Sequence, residues 1–138
     1  MPVTPARPRL ISSIPQLFVA DIGASCDFFA GVLGFETVFT YGEPPFYAQV
    51  RRDAARVNLK AMDVPVFVAG LRERESLLSA DFGLASVTEI EHLYADVTAA
   101  GAALHQPLRT EPWGARTFIV RDRDGNLLLF AAPGGRSE

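Results

Sequence analysis

The sequence predicts an α+β domain of two tandem β-α-β-β-β modules. Three observations lead there: a strand followed by a capped helix occurs twice, a glycine closes each helix, and several strand-like runs follow each closure. In the first half, Ile14 to Val19 alternates as a strand, and Asp21 is placed to cap a helix. The apolar residues Ile22, Cys26, Phe29 and Leu33 lie on one face of that helix, and Gly34 supplies a left-handed stop. In the second half, Phe82 to Val87 reads as a strand, and Thr88 and Glu91 have capping-box spacing. Ile90, Leu93, Tyr94 and Val97 make the buried stripe there, and Gly101 closes the helix.

The strands that follow are expected at Phe35 to Tyr41, Phe46 to Arg51 and Val57 to Ala61 in one half. In the other they fall at Ala103 to His105, Thr117 to Arg121 and Leu127 to Ala132. Asp122-Arg123-Asp124-Gly125-Asn126 joins the last pair, because its acidic side chains can accept from nearby amides and Gly125 tolerates positive φ. The expected organisation is a loose arm over 1–12 and one domain over 13–134. Within the domain, module one spans 13–62, a linker 63–80 and module two 81–133, with a tail over 134–138. The linker pairs an apolar stretch, Val64 to Leu71, with Arg72-Glu73-Arg74-Glu75, so it is expected to hold a helical turn and to cover a pocket or a partner subunit.

At 138 residues and 49% hydrophobic, the chain has the size and the side chains for one core. A net charge of −3 offers no basic footprint for phosphate backbones or anionic lipid, which argues against nucleic acid and membrane partners. Met1 to Pro8 has no apolar stretch of signal-peptide length, and no apolar run approaches membrane-span length. The lone Cys26 excludes an intrachain disulfide and a cysteine-built zinc site, and fits a reducing cytoplasm. No serine–histidine–aspartate order, phosphate-cradling glycine loop or dinucleotide fingerprint is present.

Three stretches carry a family likeness. They are Val19-Ala20-Asp21-Ile22 leading to Phe28-Phe29 and Val32-Leu33-Gly34-Phe35, then Glu89-Ile90-Glu91 to Gly101, then Pro112-Trp113-Gly114 with Asp122-Arg123-Asp124-Gly125-Asn126. Over residues 14–133 this pattern resembles the vicinal oxygen chelate superfamily, which includes glyoxalase I, bleomycin-resistance proteins, fosfomycin-resistance transferases and extradiol dioxygenases. The tryptophan–glycine pair and the Asp-x-Asp-Gly-Asn turn look most like the bleomycin-resistance branch. The chain departs from the family in having Phe28-Phe29 where Phe-Tyr is usual, and Arg123 where proline is usual.

The resemblance implies a curved mixed sheet around a cavity. In catalytic members of the family, a divalent metal is held by residues from the first and last strand of each half. Counting back from Asp21 and from Glu89, these positions fall at Ile14 and Phe82, with Asn58 and Leu129 on the closing strands. One neutral amide does not supply the three protein ligands a catalytic zinc, manganese or iron centre requires, so neither a metal nor another cofactor is expected.

Strand parity then places Gln16 and Phe18 with Ile14, and Leu84 and Ser86 with Phe82, on the pocket wall beside Asn58 and Leu129. Pro15, Leu17, Val19, Ala85 and Val87 would pack beneath the helices. Such a wall suits an aromatic or aliphatic ligand oriented by a few polar groups. Trp113 is placed either to stack on a flat ligand or to anchor its own loop. Phe39, Tyr41, Phe46 and Tyr47 flank the turn Gly42-Glu43-Pro44-Pro45, as an aromatic lid or as ordinary sheet packing. Arg116 is placed either to meet an anionic group or to be solvated. His92 and His105 match no zinc spacing and read as solvated or locally bonded, and Cys26 reads as a core thiol.

The reading these features support is a metal-free homodimer that sequesters a small hydrophobic or aromatic compound, an antibiotic being one version. A glyoxalase- or lyase-type enzyme working through unexpected ligands, or through Gln16, Tyr47, Asn58 or Ser86 without metal, is the alternative. A module with a collapsed pocket that contacts other proteins is the third.

Overall fold

The computed structural model describes residues 7–66 and 70–134. The elements run β1 (Gln16–Val19), α1 (Ile22–Gly31), β2 (Glu36–Tyr41), β3 (Tyr47–Arg52), β4 (Ala55–Ala61), α2 (Leu71–Glu75), β5 (Ala80–Gly83), α3 (Val87–Ala99), β6 (Ala103–Thr110), β7 (Arg116–Arg121) and β8 (Leu127–Ala132). Two four-stranded sheets result, in the orders β1-β4-β3-β2 and β5-β8-β7-β6. In each, the first strand pairs parallel with the last and the rest is an antiparallel meander. The duplicated β-α-β-β-β plan is therefore the architecture, with α2 interposed.

Local chemistry sets the helix ends. Asp21 accepts from the Ala24 N–H at 2.9 Å, satisfying one of the orphan donors of the first turn of α1. Gly34, at φ +73°, turns the chain into β2 in a conformation an L side chain resists. In module two the box sits earlier than the sequence suggests. Ser86, not Thr88, caps α3 by accepting from the Glu89 N–H at 3.2 Å. The strand ahead of it is likewise β5 at Ala80–Gly83, not Phe82 to Val87. Parallel pairing with β8 selects that register, because it lays Ala80 against Leu128 and Phe82 against Phe130 on the helix side. The sixth strand extends to Thr110, beyond the expected His105, by absorbing two register shifts around Gln106 and Pro107. The expected helical turn of the linker is α2, whereas Phe67, Val68 and Ala69 of its apolar stretch lie outside the described residues, as do residues 1–6 of the arm and 135–138 of the tail.

One core serves both modules. Ile22, Phe29 and Leu33 of the first half and Ile90, Val97, Phe118 and Phe130 of the second belong to the same buried cluster, with Cys26 among them. Ring contacts run through it without a break. Phe28 meets Phe29, Phe29 meets Phe35, and Phe35 crosses to Phe82 at 5.8 Å between centroids. Phe82 then stacks on Phe130, Phe130 on Phe118, and Phe118 meets Tyr94 of α3 edge-on.

A polar clasp closes the same seam. The Asn126 amide, 1% exposed, donates to the Phe18 carbonyl at 3.1 Å and to Asp122 at 2.9 Å, and its oxygen accepts from the Ser79 hydroxyl. Asp124 accepts from the Ala20 N–H at 2.8 Å. The Asp-x-Asp-Gly-Asn turn thus joins module two to β1. Burial pushes the Asp122 carboxyl above its ordinary range, and the amides of Asn126 and Asp124 that bond it oppose that shift. Truncating Asn126 orphans buried partners on both modules, so Asn126→Ala is expected to lower unfolding stability by at least about 1–3 kcal/mol in urea titrations.

A second buried group holds the loop between β6 and β7. Glu111 accepts from the Thr117 hydroxyl at 2.6 Å and from Arg109 at 3.1 Å, while Gln106 donates to Thr117. These donors hold the Glu111 carboxyl below its ordinary range, led by the Thr117 hydrogen bond. A depressed carboxylate contributes stability above its unfolded pKa and loses it as pH falls through the folded value. Melting temperature measured from pH 7 downward should therefore fall more steeply below about pH 4.5 in the parent than in Glu111→Gln, where that contribution is missing throughout.

Candidate ligand-binding face

Each sheet turns one side to the helices and the other away. On sheet one, Leu17, Val19, Ala48, Val50, Val57 and Leu59 fill the helix side and are buried. The pleat sends their neighbours to the opposite side. Pairing aligns Gln16 with Asn58, Asn58 with Gln49, Gln49 with Phe39, and Tyr47 with both Tyr41 and Lys60. Four expected ligand-binding residues of module one, Gln16, Phe39, Tyr47 and Asn58, therefore share one face, and Phe18 joins them opposite Lys60.

The face is open among the described residues. Phe39 is 42% exposed and Tyr41 67%. Phe39 and Tyr47 stack at 6.1 Å, and Tyr41 meets Phe46 edge-on across the turn. The Tyr47 hydroxyl donates to Gln16 Oε1 at 3.0 Å, Arg56 to Gln49 Oε1 at 2.7 Å, and Gln49 Nε2 to Asn58 Oδ1 at 2.9 Å. Gln49 and Arg56 are members of this array that the sequence reading missed, although their parity with Asn58 would have found them.

The corresponding face of sheet two is covered. Thr117 and Ile119 are buried, and Arg121 on the same side pairs with Glu73 of α2 at 2.9 Å. His105, expected to be solvated or locally bonded, instead shares a hydrogen bond at 3.1 Å with Ser76, just beyond α2. Arg72 holds the linker's return through the Leu77 carbonyl and the Ser79 hydroxyl.

Several expected positions change. Phe82 was expected on the pocket wall beside Asn58, but it lies on the helix side, stacked on Phe130. Leu84 packs against the core as well, and Ser86 is spent on the α3 cap. Arg116 is aligned with Ala132 and pairs with Glu91 of α3, which places it on the helix side, away from sheet two's other face. Leu129 does lie on that face, opposite Asp81. Trp113 is 75% exposed, so it does not anchor its loop. Burial pushes the Cys26 thiol up, opposed by a hydrogen bond with Thr37, and this suits a core residue.

Three crevices stand out, and none is lined by Gln16, Asn58 or Leu129. One of about 580 Å³ runs along the module seam over Phe35 and Phe82, with His92 at its rim. The expected cavity shared by Asn58 and Leu129 is thus not among them.

The shifted cap also moves a metal position. Asp21 corresponds to Ser86, three residues before Glu89, so the counterpart of Ile14 is Ser79 and not Phe82. Ile14, Asn58, Ser79 and Leu129 offer an alkyl group, an amide, a hydroxyl and an alkyl group. That set does not fit a divalent metal, since it holds no imidazole and no carboxylate. Among the described residues, no three His, Cys, Asp or Glu side chains converge elsewhere either.

The family model for the glyoxalase/bleomycin resistance protein/dioxygenase superfamily matches residues 11–130. The chain belongs to that superfamily. Similar solved structures include TioX from Micromonospora sp. ML1, 24% identical with TM-score 0.68 over 86% of this chain and 95% of that one. The bleomycin-binding protein of Streptomyces verticillus, complexed with copper(II)-bleomycin, is 21% identical with TM-score 0.67 over 94% of this superfamily member and 100% of its own chain. The fosfomycin resistance protein FosX of Listeria monocytogenes is 17% identical with TM-score 0.65, over 91% and 97%. At these identities the likeness is one of fold. A comparison with curated protein sequences finds no match. No helix among the described residues of this superfamily member is long and apolar enough to cross a membrane.

Because Trp113 is held only by its loop, Trp113→Phe is expected to change unfolding stability by less than about 0.5 kcal/mol. Acrylamide should quench the emission of the parent nearly as well as that of free tryptophan.

Proposed function

We propose that this member of the superfamily binds a small hydrophobic or aromatic compound without transforming it and without a metal. The open face of sheet one forms the floor of the site. The observation that carries this reading is the pairing of exposed rings with a ready-made amide array on a face whose metal positions hold neither imidazole nor carboxylate. Rings supply contact area, and the amides orient what rests on them. Trp113, exposed on the loop between β6 and β7, is assigned as a further stacking group for the same class of ligand.

In this reading a second copy completes the site. Leu10 is 99% exposed and Ile11 91%, and Tyr41 and Phe46 are exposed as well, apolar side chains that a partner would cover. Sequestration of an antibiotic is the version favoured by the likeness to a bleomycin-binding protein, and the buried reduced thiol suits a cytoplasmic setting. The fold is shared with FosX as well, so an enzymatic role is the competing reading.

Thermal-shift screening against aromatic natural products tests the proposal. A ligand at a hundredfold excess over its Kd should stabilise the native state by about 2.7 kcal/mol, and Tyr47→Ala should abolish the shift. The protein should sediment at twice the chain mass and retain well under one zinc or manganese per chain after dialysis. Stoichiometric metal that survives dialysis, or turnover of the bound compound, would overturn it in favour of an enzyme.

A further inference from the structure

The hydrogen-bond chain on sheet one has a direction, and the direction selects the ligand. An arginine guanidinium has donors and no acceptor. Arg56 therefore obliges Gln49 to turn Oε1 toward it, at 2.7 Å. Gln49 then presents Nε2 to its other neighbour, and Asn58 must receive it through Oδ1, at 2.9 Å. Among the described residues, the Asn58 Nδ2 group makes no hydrogen bond. Gln16 Oε1 accepts from the Tyr47 hydroxyl, and its Nε2 makes no hydrogen bond among the described residues. Each of the three amide oxygens and the Tyr47 oxygen keeps one lone pair, but the two amide groups with no hydrogen bond among the described residues, Asn58 Nδ2 and Gln16 Nε2, are both donors.

The charges on the face point the same way. Arg51, Arg56 and Lys60 stand there against one carboxylate, Glu36, and that carboxylate is engaged by Arg51. Lys60 makes no ion pair among the described residues. The chain as a whole carries a net charge of −3, so this surface is opposite in sign to the rest. Beyond the strand ends, Asp63 and Asp124 line a crevice of about 270 Å³ that Phe18 shares, and Asp124 already accepts from the Ala20 N–H.

We infer that the compound held on this face is an aromatic anion, a planar ring system bearing a carboxylate or phenolate oxygen, and not an aromatic cation. The ring lies against Phe39 and Tyr47 while the anionic oxygen meets Asn58 Nδ2 and Lys60. This inference rests on the proposal that sheet one is the ligand-binding face, and it names the class of compound bound there.

The test uses three probes with one ring system, 2-naphthoate, 2-naphthamide and 2-naphthylmethylammonium, titrated into the full chain by calorimetry at low salt. Affinity should fall in that order, with the carboxylate at least about tenfold tighter than the ammonium and weakened by added salt. Lys60→Glu reverses a charge on the strand surface and should invert the order of the two charged probes, while melting temperature reports that it folds. In parent protein, an ammonium that binds as well as the carboxylate overturns the anion inference and leaves the binding face standing. Probes that do not bind, or that bind equally to Tyr47→Ala, overturn the binding face itself and the inference with it.

Discussion

Two modules, each turning one sheet face away from its helix, hold together because aromatic rings bridge them edge to face. The contact between Phe35, which follows the stop of α1, and Phe82, on the strand that opens module two, is the link on which the others depend. On one side of it, Phe29 packs α1 onto sheet one. On the other, Phe130 and Phe118 carry the contact to Tyr94 and α3. Such pairs add specific geometry to the area they bury, and this seam is therefore directional as well as apolar. It also commits the helix sides of both sheets to the core, from which their opposite faces are set apart.

Those two faces have different fates. The face of sheet two is covered, in part by the linker helix fastened through Glu73 and Arg121. The face of sheet one is open among the described residues, polar along its middle strands and aromatic at its outer edge. A duplicated architecture thus yields an asymmetric molecule. The asymmetry originates in side chains, since Thr117, Ile119 and Leu129 of module two suit burial whereas Gln49, Arg51 and Asn58 of module one suit exposure with hydrogen bonds. The absence of metal-ligand chemistry from the matching strand positions leaves the amides of sheet one as the groups best placed to orient a ligand.

Much of this was legible in the sequence, and what was misread has a common cause. Module one has an acidic cap, an unambiguous alternation before it and a glycine after the helix, so its register and the shared face of Gln16, Phe18 and Asn58 followed from local rules, whereas Tyr47 was read as part of a lid. Module two has two cap-like signals, at Ser86 and Thr88, and apolar residues at Ala80, Phe82 and Leu84, so local rules admitted more than one register. The later one put Phe82 on the wrong side and moved a metal position from Ser79 to Phe82. Neither Phe82 nor Ser79 carries an imidazole or a carboxylate, so the shift adds no metal-binding group to that position.

The amino-acid sequence by itself determined the duplicated order of elements, the helix ends at Asp21, Gly34 and Gly101, and the loss of metal-binding side chains, because each depends on the conformational preference or chemistry of residues close together in the chain. Only the tertiary structure decided which side Phe82 faces, that Asp122, Asp124 and Asn126 clasp one module to the other, and which way the amides of Gln49 and Asn58 point. These depend on partners far away in sequence: the four residues of β5 take their register from β8, and an amide has no preferred orientation until a donor such as Arg56 imposes one.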